Sequence, residues 1–277
     1  MSALCEAHER FLRRLFSVPE LSMRVALWAE YFSQHHPDEN LDLVKFALQA
    51  RSQGHHAGVV AMMAFSRLVL DHRALIQRRL LPAAVVQNTT AVLELVVQRG
   101  PLKSVEVSSV RVPRIMPDRD LTLGERRTLA RSADRNVLTR LLTDPDPGVI
   151  SILLGNPKLL ERDVLRIASG QPNLAEVLSE VFGSDRWCRR RSIQLALLQN
   201  PYMPRDLSRN LLELMDETGL REVLQARSID ATIREAAQAR LRPMMNSPID
   251  VAEVKNDWVI ELLERRDADP SGVPESD

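Results

Sequence analysis

A short signature occurs twice in the second half of the chain and constrains the fold more than any other feature. The two copies, 44 residues apart, read Leu153-Leu154-Gly155-Asn156-Pro157 and Leu197-Leu198-Gln199-Asn200-Pro201. An Arg-Asp pair follows each copy, at 162–163 and at 205–206. Proline disfavours helical geometry in the residue before it, so each Asn-Pro ends a helix. The recurrence predicts stacked units of about 40 residues, each built from two or three short helices.

Helix starts recur in step with this signature. Asp146, which precedes Pro147, and Asp230 both stand before helical patterns, where a carboxylate accepts hydrogen bonds from free backbone amides. Thr122 and Glu125 have the spacing of a capping box. Short helical segments precede the three repeated helices, at 137–142, 174–182 and 220–226. We therefore predict continuous helical repeats over residues 122–243.

The third, diverged copy resembles the second helix of a HEAT-like repeat. The matching residues are Asp230-x-x-Ile233-Arg234-x-x-Ala237-x-x-x-Leu241, with a weaker copy at Asp146-x-x-Val149 and Leu153. Over residues 122–242 the chain is thus similar to the HEAT/armadillo-like α-solenoid superfamily, although the pattern also fits leucine-rich-variant arrays. The resemblance implies an all-α solenoid of helical hairpins. Because such arrays are mainly adaptors and scaffolds, it also implies a surface that binds another protein or peptide.

The first hundred residues show helical spacing without the signature. Apolar residues at intervals of 4, 3 and 4 predict one face of a helix: Leu21, Val25, Trp28 and Phe32. Ser17 and Glu20 have capping-box spacing before it. Further helices are predicted over 41–50, 57–70 and 82–98. Residues 1–100 are interpreted as an N-terminal helical bundle or as degenerate repeats.

Residues 101–121 have a different pattern. Valines with partial period-2 spacing occur at 105, 107, 110 and 112, and Pro113 and Pro117 prevent a continuous helix. We interpret this segment as an extended connector, with or without a brief hairpin. It is also the predicted domain boundary.

The C-terminal segment predicts an amphipathic helix over 244–266, followed by a disordered tail over 267–277. Its apolar stripe consists of Val251, Val254, Trp258 and Leu262. Residues 1–243 hold 34 Lys and Arg against 28 Asp and Glu, whereas residues 244–277 hold 3 against 9. We predict that this helix caps the last repeat. The alternative is a removable helix that regulates partner access to the basic body.

Composition excludes several classes of function. Two cysteines are too few for a disulfide framework, and the most apolar stretch, 57–65, is too short to cross a bilayer, so we predict a cytoplasmic protein that does not enter a membrane. The sequence has no phosphate-binding glycine loop, zinc-binding His-Glu-x-x-His motif or nucleophile elbow, so we predict no cofactor. The paired histidines at 35–36 and 55–56 lie in predicted loops, and we predict no metal site there.

The cluster at 186–191 is the candidate partner-binding site, with Trp187, Arg189, Arg190 and Arg191 as its residues. As a nucleic-acid site, it would join phosphate-binding guanidiniums to an aromatic platform. As a structural helix, it would bury Trp187 and extend its arginines to solvent. The leading functional interpretation is a protein-interaction scaffold. The alternative is a nucleic-acid-binding protein, similar to HEAT-like DNA glycosylases, that also uses basic residues from Arg111 to Arg140. An enzyme without a recognisable motif is the third.

Overall fold

The computed structural model describes residues 3–110, 112–116 and 119–241, and within these ranges the chain is helical with no β-strand. The first part contains α1 (Ala3–Ser17), α2 (Leu21–Gln34), α3 (Pro37–Ser52), α4 (His56–Asp71), α5 (Arg73–Arg79), α6 (Leu81–Val86) and α7 (Thr90–Val96). The second part begins with α8 (Leu123–Leu129), α9 (Arg135–Leu141), α10 (Pro147–Leu154), α11 (Glu161–Ser169) and α12 (Ala175–Gly183). It continues with α13 (Asp185–Cys188), α14 (Arg191–Gln199), α15 (Arg205–Leu214), α16 (Glu217–Gln225) and α17 (Ala231–Leu241). The all-α prediction is confirmed over these residues.

The first part is organised around α4, which packs against α1, α2 and α3. Aromatic rings fill the contact: Trp28 meets Phe32 edge-on at 5.5 Å, and Phe65 lies 5.5 Å from Trp28. All three side chains are fully buried, and the Trp28 indole donates to the carbonyl of Ala61 at 3.2 Å. The predicted helices that include 21–32, 41–50 and 57–70 are confirmed as α2, α3 and α4.

Two details of the N-terminal prediction are wrong. Ser17 is still the last residue of α1, so its hydroxyl donates back to the carbonyl of Arg14 and does not cap α2. Glu20 precedes α2 without a capping hydrogen bond from its side chain. The single helix predicted over 82–98 is split into α6 and α7, because Asn88 takes a left-handed backbone conformation with φ 48°.

In the second part the same helix pairs pack together in three successive units. Helix α8 packs on α10, α11 packs on α14, and α15 packs on α17. Contacts between successive units also recur, since α10 meets α12 and α14 meets α16. One hydrophobic core runs through these helices, whereas a separate core fills the first part.

The two Asn-Pro corners form the same hydrogen bonds. The amide of Asn156 donates to the carbonyls of Ala130 and Ser132, both at 2.8 Å, beyond the end of α8. The amide of Asn200 donates to the carbonyls of 168 and 170 at 2.8 and 3.0 Å, at the end of α11. Each asparagine also accepts from the backbone N–H two residues later. The signature asparagine therefore binds carbonyls that the end of the first helix of its unit leaves unpaired.

The third unit fills the equivalent position with a different residue. Arg240 stands ten residues after Asp230, as Asn156 stands ten residues after Asp146. Its guanidinium donates to the carbonyls of Leu212 and Met215, at the end of α15. A longer cationic donor thus performs the function that the asparagine amide performs in the other two units.

The predicted helix starts in this part are confirmed. Thr122 and Glu125 form a full capping box, and Asp146 accepts from the backbone N–H of Val149 at 2.9 Å. Asp230 likewise accepts from the backbone N–H of Thr232 at 2.9 Å. These carboxylates and hydroxyls satisfy amides that have no partner within the first helical turn.

The connector contacts the second part of the chain at two places. Lys103 donates its backbone N–H to the carbonyl of Pro201 at 2.9 Å, and Arg140 donates to the carbonyl of Ile115 at 2.8 Å. Ile115 is buried, and Val105 and Val110 are half-buried against the hydrophobic core of the second part. Within the described part of 101–121, the regular secondary structure consists of one turn of 3-10 helix, Val107–Ser109. These described residues do not form the brief hairpin.

The first part contacts the second part through two arginines, of which Arg51 is buried and Arg67 is half-buried. The guanidinium of Arg51 donates to the carbonyls of Glu213 and Met215 at the end of α15, and Arg67 donates to the carbonyl of Gly183 at the end of α12. A cation is favourable at these helix ends because their carbonyls carry partial negative charge. Burial lowers the pKa of Arg51 to about 10, which leaves the side chain charged at neutral pH.

Candidate partner-binding surface

Trp187 of the candidate cluster lies in the core. Its side chain is 3% exposed, and the indole N–H donates to the carbonyl of Leu154 at 2.9 Å, which ties α13 to the end of α10. The guanidinium of Arg186 covers the ring at 4.4 Å from its centroid and donates to the carbonyl of Asn156. Trp187 is therefore not accessible as a platform for a base or a partner, and its position agrees with the structural interpretation.

The three arginines after Trp187 reach the surface, and each forms an ion pair. Arg189 pairs with Asp185 one turn earlier, with nitrogen and oxygen 2.7 Å apart. Arg190 pairs with Glu161 at the start of α11, at 3.2 Å. Side-chain exposure is 55% for Arg189, 57% for Arg190 and 37% for Arg191. These three guanidiniums are accessible, and their positive charge is largely neutralised.

Arg191 joins two successive units. Its guanidinium contacts Asp216 at 2.6 Å and Glu222 at 3.2 Å, both from the third unit. Desolvation alone would lower the pKa of Arg191, but the hydrogen bonds to these two carboxylates raise it above its ordinary value. The backbone N–H of Gly219, together with Arg191, holds the pKa of Asp216 below its usual range. Arg191 therefore remains a paired cation at any physiological pH.

The second basic stretch is also largely paired within the described residues. Three of its arginines form ion pairs with aspartates. Arg126 pairs with Asp144 at 2.7 Å. Arg127 pairs with Asp146 at 3.4 Å, and Arg135 pairs with Asp163 at 2.7 Å. Arg119 pairs with Glu125, and Arg140 donates to a backbone carbonyl. Arg111 lies outside the described residues. The ion-paired arginines of these two stretches are therefore not free to neutralise phosphates unless their carboxylate partners are displaced.

Groups that could support catalysis or metal binding are dispersed. Within the described ranges, no three His, Cys, Asp or Glu side chains come together to hold a metal ion. Burial raises the pKa of the Cys188 thiol to about 12, so it is protonated and unreactive at neutral pH. A cleft between the two parts, lined by Cys188 and Ser66, has a volume of about 20 Å³, which is room for a water molecule.

Sequence reasoning missed an exposed apolar surface on the connector. The exposed apolar side chains of the connector are Leu102, Val107, Val112 and Met116, whose exposed fractions are 51%, 63%, 48% and 43%. The neighbouring Val105, Val110 and Ile115 pack inward. Period-2 spacing could not have predicted this difference, because it would place Val105 with Val107, and Val110 with Val112, on the same side of an extended segment.

Within the described residues, no helix has both the length and the apolar character needed to span a bilayer. Comparisons with models of known families, with curated proteins and with solved structures find no match to this chain.

Proposed function

We propose that α8–α17 form a HEAT/armadillo-like solenoid that serves as a scaffold for another protein or peptide. The observation that carries the proposal is the recurrence of one packing arrangement in three successive units, with equivalent polar ties at Asn156, Asn200 and Arg240. Stacked units of this kind generate extended surfaces, and such surfaces are suited to binding a macromolecule. The two cysteines favour a reducing compartment, so we place this scaffold in the cytoplasm.

The contact surface in this proposal is centred on α13 and the start of α14. Arg189 and Arg190 present half-exposed guanidiniums beside the carboxylates of Asp185 and Glu161, which gives a mosaic of both charges. Mixed charge suits the polar rim of a protein interface, where complementary charges select the partner. A polyanion would instead have to displace these carboxylates from their arginines. The arrangement thus favours a protein partner over a nucleic acid.

We expect a tagged chain to capture specific proteins from its native cells after nuclease treatment. Replacing Arg189 and Arg190 together by Glu should strongly reduce the capture, because the mixed charge beside Asp185 and Glu161 would become uniformly negative. Exposed ion pairs contribute only about 0 to 1 kcal/mol, so this variant should still fold. Quantitative mass spectrometry of the captured material measures the difference.

The matched control is Arg221→Glu, which changes another exposed, ion-paired arginine, on α16. The control should retain the captured proteins. Capture that nuclease abolishes, or that both variants retain in full, would contradict the proposed protein-binding surface.

A further inference from the structure

Helices α11 and α15 occupy equivalent places in successive units, and both bury the same positions in the hydrophobic core of the second part. Counted from the start of each helix, the third, fourth, seventh and eighth residues are buried in both. The carbonyls at the two helix ends also accept equivalent hydrogen bonds, from Asn200 for α11 and from Arg240 for α15. The two helices can therefore be compared position by position.

The second and sixth residues of α15 are covered by the first part of the chain. These residues are Asp206 and Asn210, and both are 0% exposed. Helices α4 and α7 pack on α15. Asp206 pairs with Arg73 at 3.1 Å, and the amide of Asn210 donates to the carbonyl of Leu95 at 2.8 Å. In the third unit this side of the helix is thus an occupied docking surface.

The corresponding side of α11 is open within the described part of the chain, and it carries positive charge. Its second and sixth residues are Arg162 and Arg166, and both are exposed, as is Ser169 at the ninth position. Neither guanidinium forms an ion pair or a side-chain hydrogen bond with another described residue. The carboxylate of the adjacent Asp163 is buried and is held by Arg135.

The placement of these two arginines is unfavourable for the free chain. Arg162 lies in the first turn of α11, where the helix end carries partial positive charge. Arg166 follows one turn later, and like charges at this spacing repel each other. No contact with a described residue compensates for either effect. Local arrangements of this kind are expected at functional surfaces, where a partner supplies the compensation.

We infer that the side of α11 formed by Arg162, Arg166 and Ser169 binds an acidic helix of a separate protein. The inference rests on the proposed function, since it adds a contact surface to the scaffold and names the chemistry of the partner. Helices cover the equivalent side of α15, so a helix has the matching shape. Carboxylates one turn apart on the partner helix would pair with both guanidiniums.

The surroundings of α11 favour a protein over a nucleic acid. Arg135 and Arg190 both contact the start of α11, but each is held there by a carboxylate, from Asp163 and Glu161. The unpaired positive charge on α11 is therefore confined to two side chains one turn apart. A duplex requires cations that follow its phosphates over a longer distance.

A synthetic helical peptide with glutamates paired four residues apart tests the inference on the full-length chain. Fluorescence anisotropy should show saturable binding with a Kd below about 1 mM. The same peptide with lysines in place of the glutamates should not bind. Replacing Arg162 and Arg166 together by Glu should weaken the binding by about tenfold or more, because two attractive contacts become repulsive.

Arg10→Glu with Arg14→Glu is the matched control. These two arginines are exposed on α1 with the same spacing, and their replacement changes the net charge by the same amount. The control variant should bind the peptide as the unchanged chain does. Equal weakening in both variants would show a general attraction between charges and overturn the inference, as would the absence of peptide binding to the unchanged chain.

A second variant separates binding from folding. Arg162→Gln with Arg166→Gln should keep the melting temperature within about 2 °C of the unchanged chain, because neither side chain has a partner among the described residues. This variant should still lose peptide affinity. A large fall in its melting temperature would show that the arginines are structural and overturn the inference.

Two other occupants give distinct results, and each would overturn the inference. Duplex DNA that binds at physiological salt and is lost only in the α11 variant would assign this surface to a nucleic acid. The predicted C-terminal helix over 244–266 and tail over 267–277 lie outside the described residues, and this segment is acidic. A tenfold gain in peptide affinity with Glu253→Gln, Asp257→Asn and Glu261→Gln combined would show that the chain's own segment occupies the surface.

The inference and the proposed function can fail separately. If the peptide does not bind and the α11 variant still captures the native proteins, the α11 surface is wrong and the scaffold proposal stands. If the peptide binds α11 as expected but no native protein is captured, the scaffold proposal is contradicted and the chemistry of the α11 surface stands.

Discussion

Replacing Trp187 by alanine is expected to lower the free energy of unfolding by about 3 to 5 kcal/mol, the usual cost of removing a buried aromatic side chain. The residue is 3% exposed, and its indole N–H is the donor to the carbonyl of Leu154. The substitution both leaves a cavity and removes a tie between successive units. Denaturation in urea, followed by circular dichroism, measures the loss.

Arg190→Ala is the matched control from the same cluster. Its ion pair with Glu161 is largely exposed, and such pairs contribute about 0 to 1 kcal/mol. If the Trp187→Ala chain were as stable as the control but no longer captured the partner, Trp187 would belong to the binding surface and not to the core.

Replacing Asp144 by alanine should also cost about 3 to 5 kcal/mol, because it leaves a buried guanidinium without its counter-ion. Arg126 donates to both oxygens of Asp144, at 2.7 and 2.8 Å, and the two side chains are 10% and 0% exposed. Asp144 also accepts from the backbone N–H of Asp146 at 3.0 Å. Thermal and chemical denaturation provide the measurement.

A double variant separates the charge from the packing. Replacing Arg126 by Met and Asp144 by Leu removes both charges and retains apolar volume, so most of the lost stability should return. Asp120→Ala, at an exposed position, should have little effect. A double variant as unstable as Asp144→Ala alone would show that the cost arises from packing and not from an unpaired charge.

Helix boundaries and corners were predictable where the signal is local. The proline after Asn156 and Asn200 and the acceptor side chains of Asp146 and Thr122 act within a few residues of their own position. The structure forms each of these features at the predicted place. Ser17 is a case in which a local pattern fails, because its hydroxyl donates to the carbonyl of Arg14 within α1 and does not cap α2.

Features that depend on distant partners could not be predicted in the same way. The function of Arg240 becomes visible only when α15 lies beside α17, because Arg and Asn share neither shape nor charge. Arg51 and Arg67 likewise have carbonyl partners more than 100 residues away in sequence. No spacing rule connects such residues.

The candidate site was located by its composition, and the structure separates its members. The Arg-Trp-Cys-Arg-Arg-Arg run is unusual as a sequence, but composition does not show which side of a four-residue helix faces the core. Trp187 faces inward, whereas Arg189 and Arg190 face solvent beside acids from 185 and 161. Those acids decide the electrostatics of the surface, and one of them lies 29 residues away.

Binding of the purified chain to duplex DNA at physiological salt tests most directly whether Arg189, Arg190 and Arg191 are occupied by their carboxylate partners or are free to contact phosphates. Because their carboxylate partners already neutralise them, fluorescence anisotropy should show only weak, salt-sensitive binding, with a Kd no tighter than about 10⁻⁶ M, the range of non-specific contacts. Replacing Arg189, Arg190 and Arg191 together by Ala should change that binding little. Tight binding at physiological salt that is lost in this triple variant would contradict the scaffold proposal and support a nucleic-acid-binding protein.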